Sequence, residues 1–201
     1  MKLLASKTSP YARKVCVLLA EKQIAFEFVE ESAWNADSTV PRHNPLNKVP
    51  VLLLDDGTPL YDSTVISEYL EPLGAPAFIP QTGLERALVR RDEALGNGIT
   101  DAGLAIFLER KRPANLQDAT WIARQRSKID AGIAALEREL GGKAYLRGDT
   151  ITLGDIACAC ALLWMEFRMP EIAWRREHAA LSRWIERLES RPSFRDTRPP
   201  A

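Results

Sequence analysis

The 201-residue chain predicts an α/β N-terminal domain followed by an all-α helical bundle domain. Strand and helix patterns alternate over the first 73 or so residues, a stretch rich in proline and glycine follows, and after it only long helical periodicities remain.

The first domain reads as β-α-β, loop, β-β-α. Residues 2–5 form a short buried strand. From Pro10 to about Lys22 the apolar residues Ala12, Val15, Cys16 and Leu19 fall at i, i+3, i+4 and i+7, one helical stripe. Pro10 suits the first helical position and Ser9 the N-cap. "AFEFVE" at 25–30 alternates as a strand, which predicts a parallel pair with a right-handed crossover. After a polar stretch from Ser32 to Lys48, Val51–Leu54 and Thr58–Tyr61 flank the turn signal Asp55-Asp56-Gly57. A second helix starts at Asp62/Ser63, with Val65, Ile66, Tyr69, Leu70 and Leu73 expected to face inward.

"EPLGAPAFIPQTG", residues 71–83, reads as linker. The domain boundaries follow as 1–75, a linker at 76–84, and a helical domain at 85–201. Helices are expected from about Arg86 to Lys111, Thr120 to Leu140, Thr152 to Phe167 and Ala179 to Ser190. In the second, Ile122, Ile129, Ile133, Leu136 and Leu140 keep a core stripe, and Gly141-Gly142 ends it. Thr152 and Asp155 make a capping box at the head of a nearly all-apolar helix. Asp155 is therefore a structural residue, contributing about 1 kcal/mol of capping.

Composition narrows the function classes. Lys+Arg 27 against Asp+Glu 27 gives zero net charge, so nothing global favours nucleic acid or an anionic membrane. The basic run "ERKRP" at 109–113 reads as a solvated helix end. The N-terminus turns charged too soon for a signal-peptide core, and the apolar run "IACACALLWM" is about half the roughly 20 residues of a spanning helix. These features predict a cytoplasmic protein with no membrane partner. Cys16, Cys158 and Cys160 read as buried thiols, and His43 and His178 share no ligand spacing with them. No metal site is expected.

Three places suit a ligand. Ser9 is a helix cap that can also hold a ligand atom. Val49-Pro50 precedes a strand, and X-Pro is where cis peptides occur; a cis bond would turn the Val49 main chain outward to pair with an extended peptide. Asp62-Ser63 opens a helix, where free N–H groups favour a carboxylate, while Asp62 can hold an ammonium. Together they suit a short zwitterionic thiol peptide.

Both halves of the chain resemble a glutathione S-transferase, closest to bacterial cytosolic members of the serine or cysteine type. "TSPYARKV" resembles the first-helix motif, "NPLNKVPVLL" the cis-proline motif, "LYDSTVISEYL" the next helix, "DTITLGDIA" the C-terminal capping box, and "SRPSF" the last helix. The resemblance implies a thioredoxin-like first domain and glutathione as co-substrate. Ser9 then contacts the glutathione sulfur, Val49 the cysteinyl backbone beside a cis Pro50, Asp62 and Ser63 the γ-glutamyl end, and Lys48 the glycine carboxylate. Tyr11 is the rival for thiol activation. The family's glycine is replaced by Asn47, a residue that tolerates the left-handed region.

The resemblance also implies a homodimer in which Asp101 reaches glutathione across the interface, unless it is a plain helix-surface carboxylate. An electrophile pocket is expected among Tyr11, Trp34, Ala105 and Leu108. Serine cannot form the mixed disulfide available to the family's cysteine members. It can donate a hydrogen bond to the thiolate, which is sufficient for adding glutathione to hydrophobic electrophiles or reducing organic peroxides, a detoxification role. The alternative is a non-catalytic scaffold that kept the fold.

Overall fold

The computed structural model describes residues 1–200. The chain divides into two compact units: Met1–Phe78 with the chain from Glu189 onward, and Ile79–Leu188.

The first unit carries strands β1 (Lys2–Ala5), β2 (Glu27–Glu30), β3 (Val51–Leu53) and β4 (Pro59–Leu60), with helices α1 (Pro10–Glu21) and α2 (Ser63–Leu70). The sheet order is β2-β1-β3-β4; β1 and β2 are parallel, and the other pairs are antiparallel. This mixed sheet with its helices is the thioredoxin-like arrangement. Pro10 opens α1, and Gln23, at φ 54°, follows its end in the left-handed region while the Ile24 N–H returns to the Leu19 carbonyl at 3.0 Å. Val15, Val17, Leu18 and Leu19 bury the face of α1. Gly57, at φ 87°, makes the β3–β4 turn, where the Thr58 N–H donates to the Asp56 carboxylate at 2.9 Å.

Two sequence expectations change here. Ile66 and Leu70 of α2 are buried, but Val65, Tyr69 and Leu73 are exposed by 47%, 36% and 46%. A two-turn helix on a sheet buries only one stripe, and Val65 and Tyr69 lie on a second; Leu73 lies beyond α2, which ends at Leu70. The C-terminal residues, expected within the helical domain, group with the first unit instead: helix α8 (Pro192–Arg195) packs on α1. The reason is electrostatic as well as apolar, since Arg191 pairs with Glu21 and Phe194 is fully buried.

The segment after α2 is pinned by one buried cation. Lys22 Nζ donates to the carbonyls of Glu71, Gly74 and Pro76 at 2.7, 2.8 and 3.0 Å. It also lies 3.4 Å from the Glu71 carboxylate and 5.6 Å from the Phe78 ring centroid. An ammonium has three donors, and three carbonyls satisfy them.

The second unit holds α3 (Gly83–Glu109), α4 (Ala119–Leu140), α5 (Leu153–Arg168), α6 (Trp174–Glu177) and most of α7 (Ala179–Glu189). Helix α3 packs on both α4 and α5. Gly96 and Gly103 lie two turns apart on α3, and a Cβ at Gly96 would stand 2.7 Å from backbone atoms of Ala157 and Cys158. Glycine there permits the close α3–α5 approach. Residues 153–165 of α5 are all buried. The Thr152/Asp155 capping box is present, and Asp155 also accepts from the Leu146 N–H at 2.8 Å. Burial raises the Asp155 carboxyl above its ordinary value, against hydrogen bonds from Leu146 and Thr152 that lower it. Among the described residues no helix is long and apolar enough to cross a membrane.

Candidate functional site

The sheet register brings three of the predicted places to one edge. Leu4 of β1 faces Val51 of β3 in an antiparallel pair, so the end of β1 and the start of β3 share that edge. Leu52 faces Leu60, and Leu53 faces Pro59, so the end of β4 returns there too. Ser9 follows β1, Val49-Pro50 precede β3, and Asp62-Ser63 follow β4. In the order β1-β3-β4, two spacings of about 4.8 Å span roughly 10 Å, close to the length of an extended tripeptide.

Ser9 caps α1: its Oγ accepts from the Ala12 N–H at 3.3 Å. The hydroxyl keeps its own hydrogen to donate. Tyr11, in the first turn of the same helix, is half-buried.

The loop before β3 is braced for its task. Asn44 is buried, its Nδ2 donates to the Lys48 carbonyl at 2.8 Å, and its Oδ1 accepts from the Leu46 N–H at 3.0 Å. Asn47 takes φ 49°, and its Nδ2 donates to the Ala33 carbonyl at 3.1 Å. The left-handed turn is thus made by asparagine. Upstream, Ser38 and Thr39 donate to Glu31, and the Thr39 hydroxyl above all holds that carboxyl below its ordinary value. The Val49-Pro50 peptide is cis. The Val49 side chain packs against Leu4, Val40 and Val51, while its main chain stands just outside the ladder that begins at Val51. Lys48 is exposed.

Asp62 caps α2, with Oδ1 accepting from the N–H groups of Thr64 at 2.8 Å and Val65 at 3.4 Å. A carboxylate offers about four lone-pair sites, so the cap leaves capacity for an ammonium. Ser63 is buried at the first helical position, and the Tyr61 side chain anchors the entry in the Val49 cluster.

Trp34 is exposed in the first unit, and Ala105 and Leu108 are half-buried on α3 of the second. Asp101 is exposed on α3. The three cysteines are free and buried; burial pushes the Cys158 thiol well above its ordinary value. His178 Nδ1 lies 2.7 Å from Glu137. Among the described residues no group of three or more potential ligands could hold a metal ion.

Sequence reasoning missed Asn44. The dipeptide Asn44-Pro45 is a turn initiator and signals that role. It also missed Arg13 and the grip of the C-terminal segment on α1: "SRPSF" resembles the last helix, but no local pattern pairs Arg13 with Phe194 or Arg191 with Glu21.

Comparison with known proteins agrees in both halves. Residues 8–73 match the family model "Glutathione S-transferase, N-terminal domain", and residues 119–187 match "Glutathione S-transferase, C-terminal domain". An uncharacterized GST-like protein, YibF, of Escherichia coli K12 is 44% identical over 100% of this chain and 99% of its own. A glutathione S-transferase from Methylobacterium radiotolerans, solved with glutathione sulfonate, superposes with TM-score 0.96 at 45% identity, covering 100% and 95% of the two chains. One from Methylobacillus flagellatus with glutathione bound does so with TM-score 0.96 at 40% identity and 99% coverage of each.

Proposed function

Because the chain belongs to the glutathione S-transferase family, we propose that Ser9 donates a hydrogen bond to the sulfur of bound glutathione and keeps it as thiolate. The protein is a glutathione transferase. The observation that supports this site is the convergence of the Ser9, Val49-Pro50 and Asp62-Ser63 segments on one sheet edge across a tripeptide's length. Solved relatives that carry glutathione or its sulfonate support the ligand.

In this reading the cysteinyl unit pairs with the main chain of Val49 as an added strand. The γ-glutamyl end meets the Asp62 carboxylate and the start of α2 at Ser63, and Lys48 neutralises the glycine carboxylate. The thiolate attacks a hydrophobic electrophile, its proton having passed to solvent. With an organic peroxide it attacks the outer oxygen, forming the sulfenic acid of glutathione as the O–O bond breaks and the alcohol leaves with a solvent proton; a second glutathione then displaces water from that sulfenic acid to give the disulfide. Ser9 never becomes covalently bound, so thiol transfer through an enzyme disulfide is outside its chemistry.

The exposed Val65, Tyr69 and Leu73 support a homodimer that covers this stripe. There Asp101 reaches the amino group of glutathione bound to the partner subunit. A sedimentation mass of one chain at micromolar concentration defeats both statements. The free cysteines suit a cytoplasmic location. Calorimetric titration with glutathione, followed by a panel of chloro-aromatic, epoxide and hydroperoxide substrates, tests the whole reading. Micromolar-to-millimolar binding with turnover of at least one class is expected; binding without turnover of any leaves a scaffold.

A further inference from the structure

Two side-chain locks join α1 to the last segment of the chain. Arg13, in the second turn, is only 7% exposed, and its Nη2 donates to the Phe194 carbonyl at 3.0 Å. Its main-chain N–H donates to the Ser9 carbonyl at 3.0 Å, so the residue gripped by the tail is bonded directly to the site's cap. At the far end of the helix Glu21 receives Arg191 in a bidentate pair, 2.7 and 2.6 Å, and the Ser193 hydroxyl at 2.5 Å. Burial pushes the Glu21 carboxyl up, but these hydrogen bonds and the Arg191 charge outweigh it and hold the group below its ordinary value. Thr197 Oγ1 donates to the Ser193 carbonyl at 2.7 Å and braces the gripping turn.

Stability alone accounts poorly for Arg13. Its Nε is buried without a partner, and a buried charge with an unmet donor is inferior to an apolar side chain of similar volume. What the guanidinium supplies is a directed bond. Residues 13 and 21 are separated by about 12 Å at 1.5 Å per residue, and fixing a rod at two points removes both its slide and its rotation. A hydroxyl that must meet a thiolate needs placement within about 0.5 Å.

We propose that Arg13 is a positioning residue for the transferase reaction, through which the C-terminal segment from Arg191 to Thr197 sets where the Ser9 hydroxyl stands. The proposal rests on the assignment of Ser9 to the thiolate. Its test compares Arg13→Met, Arg13→Lys and Arg191→Gln with the unaltered protein. Arg13→Met is expected to lower kcat by roughly ten- to a hundred-fold, as misplacement of a reacting group does, with glutathione KM within about twofold. It should also raise the pKa of bound glutathione thiol and speed amide exchange at Ala12 and Arg13. Arg13→Lys keeps a donor for the Phe194 carbonyl and should restore most of each. Arg191→Gln perturbs a partly exposed pair, keeps the test available should Arg13→Met fail to fold, and should move the same readouts in the same direction. Asp155→Ala, which destabilises the other unit, should leave the thiol pKa unchanged. Unchanged first-turn exchange in both Arg13→Met and Arg191→Gln overturns the coupling. Faster exchange with kcat and thiol pKa unchanged overturns its part in the reaction. Exchange needs no glutathione, and Ser9→Ala run alongside reads the Ser9 assignment separately, so the two failures are told apart.

Discussion

Replacing Ser9 with alanine removes two interactions that differ in strength and in readout. The first is the cap: Oγ accepts from the Ala12 N–H at 3.3 Å, a long bond, and its loss should cost about 0.5–1 kcal/mol of stability. The second is the hydrogen bond to glutathione thiolate, which as a bond to a charged group is worth roughly 1.5–3 kcal/mol. That equals about one to two pKa units at 1.36 kcal/mol per unit, and roughly 10–100-fold in turnover toward a chloro-aromatic electrophile. Affinity for glutathione should largely persist, because Val49 and Asp62 are held by β3, β4 and their own cluster, none of which Ser9 supports. Ultraviolet thiolate absorbance against pH gives the thiol pKa, steady-state turnover gives the rate, and thermal denaturation reads the cap. Ser9→Cys, a thiol at a helix N-terminus, should gain thiol-transferase activity by mixed disulfide. An alanine variant with slightly lower stability but unchanged thiol pKa and rate refutes the reasoning, reduces Ser9 to a cap and moves the role to Tyr11.

Asp155→Ala strands the buried Leu146 and Thr152 N–H groups as well as the Thr152 hydroxyl; we expect a loss of about 2–4 kcal/mol in urea denaturation, beyond an ordinary cap, with glutathione KM unchanged. Gly96→Ala drives a methyl to 2.7 Å from the α5 backbone and should cost about 1–3 kcal/mol through forced separation of α3 and α5; an unchanged melting temperature means that the helices yield. Glu21 is held below its usual 4.5, so its contribution is present above that pH and is lost as pH falls through the lowered folded value. Glu21→Gln should therefore flatten the loss of melting temperature below about pH 4.5, and an acid limb of unaltered steepness would show that the tail pair carries none of it.

Much of this protein is local and so legible along the chain. The cap at Ser9-Pro10, the Asp-Gly turn at 56–57, the box at Thr152/Asp155 and the glycine stop at 141–142 each act within a few residues, and the structure has all four. The left-handed Asn47 was legible too, because tolerance of that conformation is a property of the side chain itself.

The exposure of Val65, Tyr69 and Leu73 was not, since hydrophobicity says that a residue gains from burial but not whether its helix has a second surface to lie against. Nor was the grip of Arg13 on Phe194 and of Arg191 on Glu21, separated by 181 and 170 positions. Periodicity decides which face of a helix is apolar. Which distant partner a helix side chain meets is decided only when the chain closes, because the low-dielectric surroundings that strengthen such a bond exist only in the folded state.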